Sequence, residues 1–536
     1  FKVGSNPKGI LKVTGNVNNN RIEEFRNMWQ AQMAGVSNCI HPDTLIWTKE
    51  FGGIEIENAA RGNDEQPVTI WTGTKWEKAR VFKTGQKQIS KTKITGGIEI
   101  KSSPDHRFAI INSEGEFDWK AQKDLTLDDY VLINKKSIDD NQKFSYNGKE
   151  IGEDLIEVLG WMIGDGSLFY KEWDRITRNK VGRMALFFHH EKELDIMENY
   201  KNILQSYGLN AVEHNRERTE EQIEKSKRKY KFKTVSPKYY SLSLANKDFV
   251  RFLLDLGFQT STDGKVIPEF IFKTSEQFRG AFLRGLFSAD GNREGKYSAR
   301  LTVRNDELRK QVRNLLLTLG IRTANCEEVK PKKFFDDVVC TQKFLTIKDN
   351  VLFDEKIGFL QDHKKPISNA PESKYTIPQS VTIKYAKIAN SKHKESSIFS
   401  NKELGGVLEL ISGRRASSLN RLKGILDQAN VEYPSFWDDY YFEKVTSLTS
   451  TDEVIDMYDV EVFDDIHAFV GDGVIIHNSH KLAIIEADKM DFINTQGSNK
   501  DMEYGLYNDF LTKVTCAHYV IDPSEIGFPM NGGSEN

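Results

Sequence analysis

The 536-residue sequence predicts a multidomain chain in which an all-β domain is interrupted by an α+β domain and flanked by mainly helical pieces. Three observations predict this. The length is far beyond what a single hydrophobic core sustains, so roughly three or four domains are expected. The text changes character at Cys39, after residue 150, near Val445 and at Asn478-Ser479. Two central segments also repeat one pattern, an apolar helix ended by Asp-Gly.

The composition narrows the function classes. A formal net charge of -3 attracts no nucleic acid by itself, so any basic surface has to be local. No apolar run approaches the roughly 18 residues of a membrane span, and no signal peptide is visible. No membrane partner is therefore expected, and a cytoplasmic location is. The four cysteines, Cys39, Cys326, Cys340 and Cys516, are too scattered for a disulfide framework, and no Cys/His spacing suggests zinc. The chain starts at Phe1 rather than Met, as a fragment would.

Taken in order, Ile22 to Gln30 has the apolar spacing of a helix. From Cys39 to about Ile133, short strands alternate with glycine turns: Pro67 to Trp71, Lys78 to Phe82, and Ile98 to Lys101. Residues 134–150 are polar and read as a linker. Residues 151–365 alternate helices, strands and basic loops. Residues 366–440 are Ser/Lys-rich, with helices expected over Leu404–Ile411 and Leu419–Ala429; they read as a linker or an accessory DNA-binding region. Strand character returns from Val445 to Ile476, and helical text follows Ser479, notably Asp501 to Leu511.

Chemistry collects at the two ends of the β text. Cys39 opens it, and a thiol there can attack the Asn38 carbonyl and turn that peptide bond into a thioester. Ser103-Pro104-Asp105-His106 puts a hydroxyl and an imidazole around one turn, suited to polarising a scissile peptide and protonating its leaving nitrogen. Asp459, at a strand start, suits assistance to Cys39, and His467 suits assistance to Asn478. The text ends in Val474-Ile475-Ile476-His477-Asn478-Ser479. There Asn478 can cyclise onto its own carbonyl, His477 can move protons, and the Ser479 hydroxyl can carry an acyl group. Each feature alone has a plainer explanation: a buried cysteine, a turn, a strand end.

Together, in this order, these residues resemble an intein, a protein-splicing element with the self-processing β fold called Hint. Cys39 matches its first residue, Ser103 to His106 its Thr-x-x-His motif with Ser in place of Thr, Asp459 and His467 its penultimate motif, and His477-Asn478-Ser479 its end. The resemblance implies four steps: acyl transfer from Asn38 to Cys39, transfer to Ser479, cyclisation of Asn478 with release, and re-formation of an Asn38-Ser479 peptide. Splicing needs no cofactor. The Hint domain is expected in two parts, 39–135 and 441–478.

The repeated helices are Leu155 to Gly166 and Phe278 to Gly291. Small residues recur at Gly160 and Gly164, and at Ala281, Gly285 and Ala289, so each helix carries a smooth stripe. Packing stripe on stripe sets Asp165 beside Asp290, and paired carboxylates call for a divalent cation such as Mg2+. These segments resemble the LAGLIDADG (dodecapeptide, DOD-type) homing endonucleases. The resemblance implies a pseudo-twofold α+β domain over 151–365, metal ligation by Asp165 and Asp290, and cleavage of double-stranded DNA in the insertion-free copy of the host gene. Lys265 matches a family lysine near the active site, a solvated turn lysine being the other reading. The stretch with Lys225, Lys227, Arg228, Lys229, Lys231 and Lys233 alternates basic and aromatic residues (Tyr230, Phe232) at strand spacing, as DNA-phosphate contacts on a sheet would. Arg300, Arg304, Lys330, Lys332 and Lys333 supply basic text in the second half.

The flanks, 1–38 and 479–536, resemble part of a tailed-phage portal protein, chiefly through Ile521-Asp522-Pro523-Ser524-Glu525-Ile526-Gly527-Phe528. That implies a homo-oligomeric portal ring in the virion. Two alternatives carry different expectations. A DNA-binding regulator with a degenerate nuclease fold needs neither Cys39 nor Asn478. A structural portal protein with a non-catalytic insertion needs no paired Asp-Gly helices.

Overall fold

The β-branched, glycine-punctuated text after Cys39 builds one eleven-stranded sheet. The computed structural model of the protein describes residues 9–14, 38–61, 67–138, 142–172, 180–189, 191–230, 237–260, 265–303, 305–330, 340–371, 374–414, 418–463, 467–478 and 489–494. Two compact units are present. One is Met33–Lys481; the other is Phe1–Gln32 with Leu482–Asn536.

In the larger unit, strands from both ends of the β text share the sheet. Trp76–Ile94 pairs antiparallel with Tyr440–Val462, across three register shifts that bend the ribbon. The start of Tyr440–Val462 also pairs with Tyr130–Asn134. The terminal hairpin, Ala468–Gly471 with Val474–His477, lies inside the sheet between Leu45–Thr48 and Tyr130–Asn134. Residues more than 300 positions apart thus close one core, which includes Ile40, Val81, Phe108, Val460, Phe469 and Ile476. The sheet is complete only when both parts of the chain contribute strands.

The insertion is built twice on one plan. Helix Glu153–Asp165 leads into strands Gly166–Lys171 and Val181–His189, helix Leu194–Ser206, and strands Val212–Glu217 and Lys238–Leu244. Helix Glu276–Asp290 leads into Gly291–Glu294, Ser298–Thr302, helix Asp306–Leu317, Thr323–Lys330 and Cys340–Ile347. Each half forms a four-stranded antiparallel sheet in the order first, second, fourth, third. Along Val181–His189 the buried residues Gly182, Met184, Leu186 and Phe188 alternate with more open ones, so one face packs and the other is open.

The two leading helices pack stripe on stripe, as the small residues predict. A Cβ on Gly160 lies 1.9 Å from the Phe282 carbonyl oxygen, and one on Gly285 lies 2.0 Å from that of Glu157. Only glycine allows this approach. The glycines after each Asp have a different cause from the left-handed cap that Asp-Gly suggests. Gly166 and Gly291 have extended backbones (φ -131° and -91°) that run straight into the next strand. What excludes a side chain is crowding: its Cβ would lie 2.7 Å from the Met162 oxygen or 2.4 Å from the Phe287 oxygen.

Four expectations are corrected. Residues 134–150 are no loose linker: Ile138 and Tyr146 are buried, Ser145–Tyr146 pairs with Lys149–Glu150, and Phe144 meets Phe270 edge-on at 5.1 Å. Residues 366–440 hold the two expected helices, Asn401–Ile411 and Leu419–Gln428, but also the longer Gln379–Ser396. This module is docked rather than strung out, because Trp437 Nε1 donates to the Gly115 carbonyl (2.9 Å) and Val381 and Tyr385 crowd the same turn. Glu220–Tyr230 is a helix, so the basic run through Lys225, Lys227, Arg228 and Lys229 is not at strand spacing there. Glu220 and Glu221 in its first turn and a run of good helix formers account for that. Lys231 and Lys233 lie outside the described residues. In the smaller unit, Gly9–Thr14 pairs antiparallel with Lys489–Asn494, where helical text was expected. A strand partner some 480 residues away overrides local propensity. The helices expected over Ile22–Gln30 and Asp501–Leu511 lie outside the described residues, as do Arg304, Lys332 and Lys333.

Candidate functional site

Cys39 is fully buried between two strands. Ile40 pairs with Tyr458 on one side, its N–H donating to the Tyr458 oxygen at 2.8 Å, and bridges Ser102 on the other. The Cys39 N–H donates to Ser103 Oγ (3.1 Å), and the Ser103 N–H donates back to the Cys39 carbonyl (2.8 Å). The nitrogen of the Asn38-Cys39 peptide is therefore held by the hydroxyl of the Ser103 turn. Thr84 Oγ1 donates to the Cys39 sulfur at 3.0 Å. Burial pushes the thiol up to about 12; Asp459, negative and fully buried nearby, adds to the rise, while Thr84 opposes it. The thiol is thus held protonated, with the buried Asp459 carboxyl in its vicinity.

His106 is fully buried, and neither ring nitrogen has a hydrogen-bond partner among the described residues. Burial, with His477 as a second cause, lowers it to about 3, so it stays neutral at physiological pH. A neutral imidazole carries both a donor and an acceptor nitrogen. The pairing of Ile476 with Phe108 sets the terminal strand beside the strand that follows the Ser103–His106 turn, so that turn and the terminal His-Asn lie together.

At the other junction, His477 Nδ1 lies 2.5 Å from the Asn478 carbonyl oxygen. A carbonyl only accepts, so Nδ1 carries the proton and polarises the Asn478 carbonyl. The Trp119 ring meets His477 edge-on at 4.7 Å, and His467 stacks parallel to it at 5.9 Å. His467 has a left-handed backbone (φ 49°), and its carbonyl accepts the Asn478 N–H (3.1 Å). Asn478 is fully buried; its Nδ2 makes a long contact of 3.5 Å to the Val462 carbonyl, and its Oδ1 has no partner among the described residues. The side-chain amide is enclosed but weakly tethered. Ser479 lies outside the described residues.

The second constellation sits where the two glycine-striped helices end. A Cβ on Gly164 would lie 2.5 Å from Ala289 Cβ and 3.4 Å from the Asp290 carboxyl carbon. Asp165 and Asp290 are exposed at the surface, over a crowded floor. Desolvation by the atoms packed around them raises both carboxyls, and Asp165 is raised further by the charge of Asp290. Lys265 Nζ donates to the carbonyls of Gly164 and Gly166 (both 2.9 Å), and Lys364 Nζ donates to the Ser288 carbonyl (2.6 Å). Burial lowers both ammonium groups, while Asp165 and Asp290 oppose it. Glu193 stands nearby, held by the His189 N–H (2.8 Å) and Gln361 Nε2 (2.8 Å). Two hard oxygen donors that repel each other fit Mg2+, which keeps waters and takes further oxygens from phosphate. Among the described residues no group of three or more His, Cys, Asp or Glu side chains could hold a metal.

The sequence matches the family described as the intein splicing domain over residues 19–478. The chain belongs to that family. The match ends at Asn478 and begins ahead of Cys39. A DNA polymerase of Thermococcus hydrothermalis is 39% identical over 127 residues, which cover 23% of this chain and 8% of the polymerase. A probable portal protein of an Enterococcus phage is 37% identical over 59 residues, 11% of this chain and 10% of that protein. The chain thus spans a small part of the length of these curated relatives. Variants of the homing endonuclease I-DmoI are similar in structure at 16% identity, covering 38% of this chain and 95% of that one, with a TM-score of 0.28.

Within the intein, Cys39, Ser103, His106, Asp459, His467, His477 and Asn478 are gathered in one β domain, and Asp165, Asp290 and Lys265 in the insertion. Sequence reasoning passed over Thr84, Trp119, Lys364 and Glu193. Thr84 and Trp119 sit at ordinary strand positions with no motif around them. Lys364 carried a usable signal, because it closes the second half as Lys265 closes the first. Lys225 is exposed on its helix, and Arg300 pairs with Glu294. No helix among the described residues is long and apolar enough to cross a membrane.

Proposed function

We propose that residues 39–478 excise themselves and join Asn38 to Ser479, and that the insertion cuts double-stranded DNA at the host-gene copy lacking it. In the first step the Cys39 sulfur bonds to the Asn38 carbonyl carbon, giving its proton to Asp459 while Thr84 steadies the sulfur. Ser103 and neutral His106 serve the departing Cys39 nitrogen. The Ser479 hydroxyl then takes the acyl group from sulfur. Asn478 Nδ2 attacks its own carbonyl carbon, polarised by His477, and the bond to Ser479 breaks; His467 steadies His477 by stacking. The freed Ser479 amine attacks its ester to leave a peptide. Enclosure supplies proximity and keeps competing water out.

What carries this reading is that residues from four distant segments, around Cys39, Ser103, Asp459 and His477, meet in one β-domain core. For the insertion, the support is two like helices that bring Asp165 and Asp290 together between two like sheets. Asp165 and Asp290 would hold Mg2+, which when bound would supply Lewis-acid activation of water and of a phosphodiester oxygen. Lys265 and Lys364 flank the carboxylates and stabilise charge that develops on the phosphate. The basic end of Glu220–Tyr230, with Lys225, Lys227, Arg228 and Lys229, followed by Lys231 and Lys233, contacts DNA phosphates. The helices of the docked module add to this contact: residues 374–430 hold ten Lys and Arg against four Asp and Glu. The flanks, by their likeness to a phage portal protein, come from a homo-oligomeric ring.

The test of the nuclease uses the purified chain, Mg2+ and linear DNA in which the codons for Asn38 and Ser479 are adjacent. Two fragments are expected from the wild type and none from Asp165→Asn. Equal cutting by that variant overturns the assignment, and binding without cutting by the wild type favours a DNA-binding regulator.

A further inference from the structure

The insertion touches the splicing domain at the turn of the hairpin that ends in His477-Asn478. Asp472 and Gly473 form that two-residue turn, both with positive φ (48° and 86°). Asp472 is buried. Its Oδ1 accepts from Asn314 Nδ2 (3.1 Å) and from the Leu45 N–H (3.3 Å), and pairs with Lys310 Nζ at 3.4 Å. Asn314 and Lys310 both lie on helix Asp306–Leu317 of the insertion. The last residue of that helix, Leu317, is part of the splicing domain's own core and fills the space over Gly473, where a Cβ would lie 2.5 Å from it.

Lys310 also donates to the backbone carbonyl of Asp43, four residues after the nucleophile. The Asp43 carboxylate is in turn held by His41 and by Lys101 Nζ (2.8 Å). One face of one helix thus grips both segments that lead to the reacting residues. Strand Val474–His477 runs unbroken from that turn to His477, so a shift of the turn is passed along only four residues to His477 and the Asn478 amide. The Asn478 backbone is held through its N–H to the His467 carbonyl (3.1 Å), but the side-chain amide has only the 3.5 Å contact from Nδ2, so its aim follows wherever the strand places it.

We propose that Asn314 and Lys310 of the inserted domain are positioning residues for splicing, with Asn314 acting on the cyclisation of Asn478 and Lys310 on both junctions. The insertion is then a structural part of the splicing centre and not a passenger. The step affected is the one in which Asn478 Nδ2 bonds to its own carbonyl carbon, the bond from that carbon to the Ser479 nitrogen breaks, and the amide proton passes to the departing amine. This rests on the splicing reading of the β domain.

The experiment separates the two junctions in the full chain. In a Cys39→Ala background only cleavage after Asn478 is followed; in an Asn478→Ala background only thiol-induced cleavage before Cys39 is followed. Asn314→Ala is expected to slow the first by about tenfold, the loss of one hydrogen bond to a charged group, and to leave the second within about twofold. Lys310→Met, which keeps the straight side chain, is expected to slow both. The exchange pair Asn314→Asp with Asp472→Asn restores a donor and an acceptor and is expected to recover most of the lost rate. Equal slowing of both junctions by Asn314→Ala, no slowing, or no recovery by the exchange pair overturns the proposal. If Asn314→Ala fails to fold, Lys310→Met and the exchange pair decide alone. A Cys39→Ala chain that never cleaves after Asn478 instead refutes the splicing reading.

Discussion

Replacing Gly285 by alanine tests how the insertion is held together. Its Cβ would lie 2.0 Å from the Glu157 carbonyl oxygen, 2.8 Å from the Trp161 nitrogen and 3.0 Å from the Glu157 carbonyl carbon. All three are backbone atoms of the opposite helix, so no side chain can rotate away. A tolerable carbon–oxygen contact is about 3.3 Å, so the helices must part by about 1.3 Å at this point. Overpacking of that size costs about 1–3 kcal/mol, or about 4–8 °C in the melting transition of a domain this large for a mid-range 2 kcal/mol. The same parting moves Asp165 away from Asp290, and a shift of about 1 Å lowers a rate by about 100-fold. Calorimetry and a DNA-cleavage time course read the two effects. Gly424→Ala is the control: no atom lies within 4 Å of its added Cβ, so a gain of about 0.5–1 kcal/mol is expected from helix propensity. A Gly285→Ala protein that melts and cuts like the wild type refutes the packing described here.

Three further outcomes are expected. Lys265→Met and Lys364→Met each lower DNA cleavage by about 100-fold while splicing proceeds, and chelation of Mg2+ stops cleavage alone; equal loss of splicing contradicts the separation of the two sites. Because the Cys39 thiol is pushed up to about 12, its thiolate gains about tenfold per pH unit below that value. Thiol-induced cleavage before Cys39, measured with Asn478→Ala, should therefore keep rising between about pH 6.5 and pH 9, and a plateau near the ordinary thiol value of about 8.5 contradicts the burial argument. Arg322→Met leaves Asp349 and Glu443 buried with less compensation, after an ion cluster at 2.8 and 3.4 Å, and should cost about 3–5 kcal/mol in denaturant unfolding; a loss under about 1 kcal/mol contradicts it.

Much of this was legible in the sequence where local pattern and chemistry agreed. The small-residue stripe through Gly160 and Gly164, facing that of Ala281, Gly285 and Ala289, carries its own packing rule, and Asp165 meets Asp290 as a consequence. That Cys39, Ser103, Asp459 and His477 gather in one domain was legible because thiol, hydroxyl, carboxyl and imidazole chemistry is useful only when such groups stand together. The illegible parts depend on partners far away in the chain. Lys489–Asn494 becomes a strand through Gly9–Thr14, and nothing in its own six residues demands that. Thr84 matters only because Cys39 packs against it. The basic run after Glu220 offered a two-residue alternation, yet helix propensity with acids at the start won over it. Gln379–Ser396 has Pro378 before it as its one clear signal, and its buried stripe of Val381, Thr382, Tyr385, Ala386 and Ala389 is interleaved with Lys and Ser.

The central claim, that this chain cuts itself out and heals the gap, is tested most directly by mass spectrometry of the expressed chain under denaturing conditions. The account predicts a free element spanning Cys39 to Asn478, ending in a succinimide or its hydrolysis product, and a second product in which Asn38 is joined to Ser479 by an ordinary peptide bond. The Cys39→Ala, Asn478→Ala double variant should give only the full-length chain. A wild-type chain that stays intact across pH, temperature and thiol conditions contradicts the account.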